Sequence, residues 1–294
     1  MTAADCTSPA PTDEIVALAQ SIRSVPPPIA VLAGSGTSSS AGVTTGQDLL
    51  ARIARERGEQ PESDPVGWYI RTFGVFPNYI RMLQEAGGPD ADPLALPTAF
   101  FEAFAGKPNT PTPAHRALAA MAASGLVAPI LTTNFDRLLE TALVDAGVPF
   151  DVIFDLDSMA RVIAEPDLAA RRRKLLVKLH GDYKDIRIRD TSGGFATYHP
   201  IIDALLDRVV ADFDLLVCGW SASWDIPLYR ALERGANMHR RTFWLQRGTL
   251  TPAAARLIAA RRAEVVAVPS SDKGLTALTR ALGVTVRGPA DQSR

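Results

Sequence analysis

The sequence predicts an α/β protein with a doubly wound, mostly parallel sheet, and three observations predict it. Short apolar runs alternate along the chain with segments of helical periodicity. The first run, Ile29 to Ala33, leads directly into Gly34-Ser35-Gly36-Thr37-Ser38-Ser39-Ser40-Ala41-Gly42. Two later runs end in polar chemistry, at Leu131-Thr132-Thr133-Asn134-Phe135-Asp136 and at Leu179-His180-Gly181-Asp182. In an open sheet of this kind, ligands sit beyond the carboxyl ends of the strands, near the point where strand order reverses. The expected architecture is Rossmann-like, with six or seven parallel strands and these three ends converging on one crevice.

Taken in order, residues 1–28 read as a tail followed by a helix. Asp13 to Ser24 has helical periodicity and stops at Pro26-Pro27-Pro28, which breaks it and launches the first strand. After the glycine loop, Gly46 to Arg57 reads as a helix with Leu49, Leu50 and Ile53 on one face. Residues 58–113 then change character, with nine prolines among short aromatic-containing stretches. We read them as a helical insertion packed over the sheet as a lid near the crevice, within one domain spanning 29–286. From Pro113 the alternation resumes with a helix (114–123), a strand (128–131), a helix (135–146), a strand (150–154) and a polar helix toward Arg173. The strand ending at His180 follows, then a helix (201–211), a strand (214–218) and a helix (224–235). A strand (242–245), a helix (252–260), a strand (263–268) and a helix (272–282) close the domain. Residues 287–294 are expected to form a disordered tail.

Composition removes several function classes. The two cysteines, Cys6 and Cys218, stand far apart, too few for a disulfide framework or a cysteine zinc site, so no metal is expected. A formal net charge of -1 gives no bulk attraction to nucleic acid or acidic membranes. The one dense basic cluster, Arg171-Arg172-Arg173-Lys174, reads as a solvated helix end before a strand. No apolar stretch approaches the roughly 20 residues needed to span a bilayer, and the first 14 residues lack the apolar core of a signal peptide. The expected location is the reducing cytoplasm.

Each polar strand end admits a functional and a structural reading. Gly34 and Gly36 let a backbone approach a pyrophosphate, and the hydroxyls from Ser35 to Ser40 suit phosphate and ribose contacts; a tight strand-to-helix turn needs the same residues. The dinucleotide fingerprint GxGxxG fails, because Ser39 occupies the third glycine's place. Thr133 with Asp136 three residues on matches a helix cap, which leaves Asn134 unexplained. His180 ends a strand and is followed by Gly181 and Asp182, where an imidazole titrating near neutrality serves as a general base. The other histidines read differently: His115 and His239 as surface residues, His199 as a cap or packing residue. Gly219-Trp220-Ser221 suits an adenosine ribose or phosphate, or a plain turn, with Trp220 and Trp224 as packing residues.

Together these segments resemble the sirtuin-like family, in its prokaryotic SIR2-like branch. The family's Gly-Ala-Gly-x-Ser-x-x-Ser-Gly motif is matched by Gly34 to Gly42. Its Thr-Gln-Asn-x-Asp motif corresponds to Thr132-Thr133-Asn134-Phe135-Asp136. His-Gly falls on His180-Gly181 and Gly-x-Ser on Gly219-Trp220-Ser221, all in the family's order. The resemblance implies NAD as substrate. Asn134 and His180 would be catalytic, with Asp136 and Ser38 holding the carboxamide and ribose. Gly34, Gly36, Gly219 and Ser221 would line the phosphates and adenosine, and Ser35, Thr37, Thr132 and Gln246 would also bind the cofactor. Asn134→Ala is expected to impair turnover with little effect on folding.

The departures shape the expected activity. Sirtuin deacylases carry Pro-x-Phe-Arg after the first motif, where this chain has Val43-Thr44-Thr45-Gly46. They insert a four-cysteine zinc module after His-Gly, and Tyr183 to Tyr198 has no cysteine. Gln246 also stands where the family often has Asn. The leading expectation is an NAD hydrolase releasing nicotinamide and ADP-ribose in antiviral defence. It would be silent until homo-oligomerisation or a sensor partner, such as a short Argonaute or a HerA-type ATPase, assembles it. The alternatives are an NAD-dependent transferase (ADP-ribosyl transfer or zinc-free deacylation) and a non-catalytic NAD-binding subunit.

Overall fold

The computed structural model describes residues 11–43, 45–60, 65–75, 77, 82, 85, 110–181, 198–223, 225–237 and 239–286. Both expected tails, most of the insertion with its lid role, and Trp224 therefore lie outside the described residues.

Seven strands form one all-parallel sheet: β1 (Ile29–Ala33), β2 (Val127–Thr132), β3 (Phe150–Ile153), β4 (Lys174–Lys178), β5 (Leu215–Cys218), β6 (Thr242–Gln246) and β7 (Glu264–Ala267). Their spatial order is β3-β4-β2-β1-β5-β6-β7. The described helices are α1 (Asp13–Arg23), α2 (Gly46–Glu56), α3 (Pro65–Phe73), α4 (Pro113–Ala123), α5 (Leu138–Asp145), α6 (Leu156–Ile163), α7 (Pro200–Asp212), α8 (Ile226–Arg234), α9 (Pro252–Arg261) and α10 (Ser271–Ala281).

The sheet is apolar at successive positions because both faces are covered. Ile29, Val31 and Ala33 point into one core, shared with α1, α4, α5 and α10. Ala30 and Leu32 point into the other, beneath α6 to α9. The period of two repeats on β5, where Leu216 and Cys218 face the first core and Leu215 and Val217 the second. A slip of one residue would exchange the two sets. At about 1.5–3 kcal/mol for each large aliphatic side chain buried, this register holds the carboxyl ends of β1 and β5 level. The described helices of the 46–75 region, α2 and α3, build a small cluster of their own around Leu50, Ile53 and Tyr69.

The chain begins at the central strand, winds outward on one side through β2, β3 and β4, then crosses to β5, β6 and β7. Strand order thus reverses beside β1. The ends carrying Gly34, Asn134, His180 and Gly219 belong to four neighbouring strands, β1, β2, β4 and β5. One local expectation fails. The helix expected from Phe135 starts at Leu138 with Arg137 at its cap position, and Thr133 does not cap it. Asp136 Oδ1 accepts the Leu138 N–H instead (3.1 Å), so residues 133–137 stay irregular and close over the end of β2.

Candidate active site

The glycines after β1 and β5 allow two loops to touch through their backbones. Gly36 N–H donates to Gly219 O at 2.9 Å, and Gly34 N–H to Cys218 O at 2.9 Å. A Cβ on Gly34 would lie 2.4 Å from Gly219 O, and one on Gly219, whose φ is +65°, would lie 2.7 Å from Thr37 N. Thr37 and Ser38 also donate their N–H groups to protein carbonyls, those of Gly34 and Ser35. Two of these amides thus join the loops and two close the turn within the first, and neither Gly34 nor Gly219 has room for a methyl group. Gly34→Ala should cost about 1–3 kcal/mol or more, as overpacking does, read as a lower thermal midpoint. An unchanged midpoint would show that the loops part freely.

A buried polar network ties the β1 loop to the β2 turn. Asn134 Nδ2 lies 3.3 Å from Gly34 O, 3.2 Å from Thr37 Oγ1 and 3.0 Å from Ser38 Oγ. Ser38 donates to Asp136 Oδ2 at 2.8 Å. Thr132 Oγ1 donates to Ala33 O and accepts the Asn134 N–H. Thr37 turns its hydroxyl onto Gly34 O. The hydroxyls of Thr37, Ser38 and Thr132 are therefore turned inward and buried; Ser39 and Ser40 stay exposed and Ser35 is half-buried. Asn134 Oδ1 is buried with no partner among the described residues. A buried acceptor left open at a strand end is a position for a ligand or water hydrogen.

His115, expected on the surface, completes this network and is fully buried. It is the N3 residue of a capping box with Thr112, accepting the Thr112 N–H at Nδ1 (3.1 Å). Its proton is thereby assigned to Nε2, which faces Ser38 Oγ at 3.3 Å. Thr112 Oγ1 in turn donates to Thr37 O at 2.9 Å. Burial pulls the ring down to about 4, against the carboxylates of Asp136 and Asp272 and together with the Arg116 charge. In the unfolded chain a histidine protonates near 6.5, so the unfolded state gains a proton first as pH falls. The contribution of His115 to stability is complete above pH 6.5 and is lost between 6.5 and about 4. At about 1.4 kcal/mol per unit the loss reaches about 3 kcal/mol. Urea midpoints across this window should fall less steeply for His115→Gln than for the parent chain; equal slopes would show that the folded ring titrates normally.

A lysine inside an otherwise apolar strand holds the same turn from below. Lys178, the last residue of β4, is fully buried. Its Nζ donates to Phe135 O (3.2 Å) and Asp136 O (2.7 Å) and pairs with Glu140 (3.0 Å). A charge is tolerated there only because it is paired and hydrogen-bonded. Its signal in the sequence is Lys178 itself, between Val177 and Leu179.

Two residues on, His180 sits at the rim of the sheet with its side chain 22% exposed. Its Nε2 lies 2.9 Å from Asp225 Oδ2 and 3.2 Å from Tyr198 OH. Tyr198 OH is 3.1 Å from both oxygens of Asp225. A carboxylate only accepts, which places the imidazole proton on Nε2 and leaves the Nδ1 lone pair without a partner among the described residues. Asp225 is held by its second task, capping α8 through the Leu228 N–H (3.1 Å). The sequence signal is a helix start, Asp225 followed by Pro227, and nothing in it pointed to His180.

The remaining candidates are scattered along the other strand ends. Gln246 accepts from Trp244 Nε1 (3.0 Å) and donates to Arg247 O (2.9 Å), so it braces the loop after β6. Ser221 is half-buried, and its carbonyl accepts from Thr251 Oγ1 (3.0 Å). Trp220 packs toward Trp244 with ring centroids 6.0 Å apart, and His199 caps α7. Among the described residues no cluster of three or more His, Cys, Asp or Glu side chains is placed to hold a metal. No described helix is long and apolar enough to cross a membrane.

An all-parallel sheet in three layers, with polar residues gathered at strand ends beside the reversal of strand order, defines a doubly wound α/β protein, the architecture in which ligands sit at those strand ends. Within that class, a family model described as a SIR2-like domain matches residues 128–266. Among solved structures, one reported under the mechanism and regulation of Sir2 enzymes aligns with a TM-score of 0.50 at 14% identity, covering 92% of this chain and 98% of that one. A Sir2 homologue in complex with NAD aligns at 0.51 and 16%, covering 93% and 95%. A mutant Sir2 homologue with ADP-ribose aligns at 0.52 and 15%, covering 91% and 96%. Identities this low establish a shared fold. No curated protein sequence matches the chain significantly.

Proposed function

We propose that the protein is an NAD hydrolase that cleaves the bond from nicotinamide to ribose. The observation that carries this reading is His180, oriented by Asp225 and Tyr198 at one ring nitrogen and without a partner at the other among the described residues, at the end of the strand next to Asn134. The Sir2 homologues with NAD and ADP-ribose support the ligand class. In the proposed step, water attacks C1′ of the nicotinamide ribose as the C1′–N bond breaks. The electron pair leaves on the nicotinamide nitrogen, and the proton of water passes to His180 Nδ1, directly or through a ribose hydroxyl. The vacant Asn134 Oδ1 is suited to orient that water or hydroxyl. Ser38 and Asp136 act by holding Asn134 in place, and the Gly34 and Gly219 loops with Ser221 form the phosphate and adenosine side.

The sequence favours hydrolysis over deacylation, since the segment after His180-Gly181 offers no cysteines for a zinc module. Cys218 lies buried in β5 with its thiol pushed up to about 12 by burial. A role in antiviral defence, in the cytoplasm and under the control of self-assembly or a sensor partner, belongs to the same proposal. Purified protein incubated with NAD should release nicotinamide and ADP-ribose in equal amounts, followed chromatographically. Nicotinamide release only with a protein acceptor would replace hydrolysis by transfer; NAD binding without product would make the chain a regulatory subunit.

A further inference from the structure

The basic run Arg171-Arg172-Arg173-Lys174 does not behave as one solvated cluster. The backbone bends at Arg172 and Arg173 before β4 begins at Lys174, and the four side chains divide between two surroundings. Arg171 and Arg173 turn to acidic neighbours: Arg171 pairs with Glu165 and with Asp151 (2.7 Å), and Arg173 with Asp151 (2.6 Å). Arg172 and Lys174 turn the other way and line a cavity of about 620 Å³. The third cation there is Arg116, from the first turns of α4. None of these three side chains has a carboxylate partner among the described residues, while every other arginine of this strand approach does.

The cavity is a groove between α4 and α5 that ends at the amino-terminal edges of β3 and β4. It takes in Arg116 and Ser124, eight residues apart on or just beyond α4, or about 12 Å at 1.5 Å per residue. Ala120 and Ala123 on α4 and Ala142 on α5 line its walls, and side chains this small leave the space open. Arg172 and Lys174 stand at the lower end, so positive charge lies toward both ends of an elongated space. Asp145 is the one carboxylate in the lining. The volume falls in the range of small-ligand pockets, about 300–1,000 Å³. Three cations against one carboxylate disfavour a metal ion or an acid-rich site, and the planar fork of arginine matches phosphate oxygens in pairs.

We propose that this groove is a second binding site, separate from the strand-end crevice, for a phosphate-bearing molecule of nucleotide size. The ligand extends along α4, with anionic groups held by Arg172 and Lys174 at one end and by Arg116 at the other. The site stands whether or not the chain hydrolyses NAD, because none of its residues belongs to the crevice.

Calorimetric titration of the full chain tests it, with inorganic tripolyphosphate as the bare anion and ATP as the nucleotide. Both should bind at low salt. Arg172→Gln with Lys174→Gln should weaken both by about tenfold per cation removed, the worth of one charge-assisted hydrogen bond, and Arg116→Gln by a similar factor. Thermal midpoints should not move, since these side chains hold no partner. Arg173→Gln, which removes a paired arginine of the same run, should leave binding unchanged. Absence of binding at millimolar concentration, equal binding by the groove variants, or equal weakening by Arg173→Gln would overturn the site. Preference for polyglutamate over both phosphates would also overturn it, in favour of a docking face for an acidic protein.

Discussion

His180→Ala should lower NAD turnover by about 10²- to 10⁴-fold, the usual cost of losing a general base, while NAD affinity changes far less. The geometry makes this substitution clean. His180 is partly exposed and, among the described residues, its ring bonds through Nε2; without it Asp225 retains both the Tyr198 hydroxyl and the Leu228 N–H that starts α8. Asp225→Asn should keep the cap, since asparagine caps helices as well as aspartate, yet lose the carboxylate that orients the imidazole. Its effect should appear in kcat with KM little changed. Initial rates of nicotinamide release in an activated preparation measure both. Near-normal cleavage by His180→Ala would make the imidazole structural. Asn134→Ala is a poorer probe than the sequence suggested. It removes an amide lying against Gly34 O, Thr37 Oγ1 and Ser38 Oγ, and buried partners left unsatisfied cost about 1–3 kcal/mol. Its loss of activity would be mixed with a loss of stability.

Lys178→Met should destabilise the fold by about 3–5 kcal/mol, as removal of one member of a buried ion pair does. Methionine fills much of the volume, but the Phe135 and Asp136 carbonyls lose their donor and Glu140 loses a cation. The test is a double substitution. Lys178→Met with Glu140→Leu replaces the pair by apolar groups, which is often neutral, so stability should largely return. Turnover should not return with it, because the turn bearing Asn134 and Asp136 is still unclamped. Denaturant midpoints and nicotinamide release on the same variants separate the two effects. Recovery of turnover together with stability would reduce Lys178 to a packing residue.

The strands were legible because each is short and apolar, and the seven expected runs agree with the seven observed strands to within a residue or two. Local chemistry could be read as far as it depends on neighbours in sequence: the glycines at the ends of β1 and β5, and the polar ends of β2 and β4. Helix α5 was misjudged at its start because the Thr133–Asp136 spacing satisfies a cap rule. In the fold Ser38 takes one Asp136 oxygen and Leu138 N–H the other.

By itself, then, the chain's apolar periodicity determined a parallel α/β sheet and which residues stand at its carboxyl edge. It could not determine strand order, because β4 is inserted between β3 and β2 by packing alone. Nor could it show that His115, in the first turn of an alanine-rich helix, is buried against Ser38, or that Asp225 reaches back to His180. Those contacts join residues tens of positions apart, 77 between Ser38 and His115 and 45 between His180 and Asp225. Burial is a property of the assembled layers, and it turns a cap histidine into a neutral buried one and an ordinary lysine into a clamp.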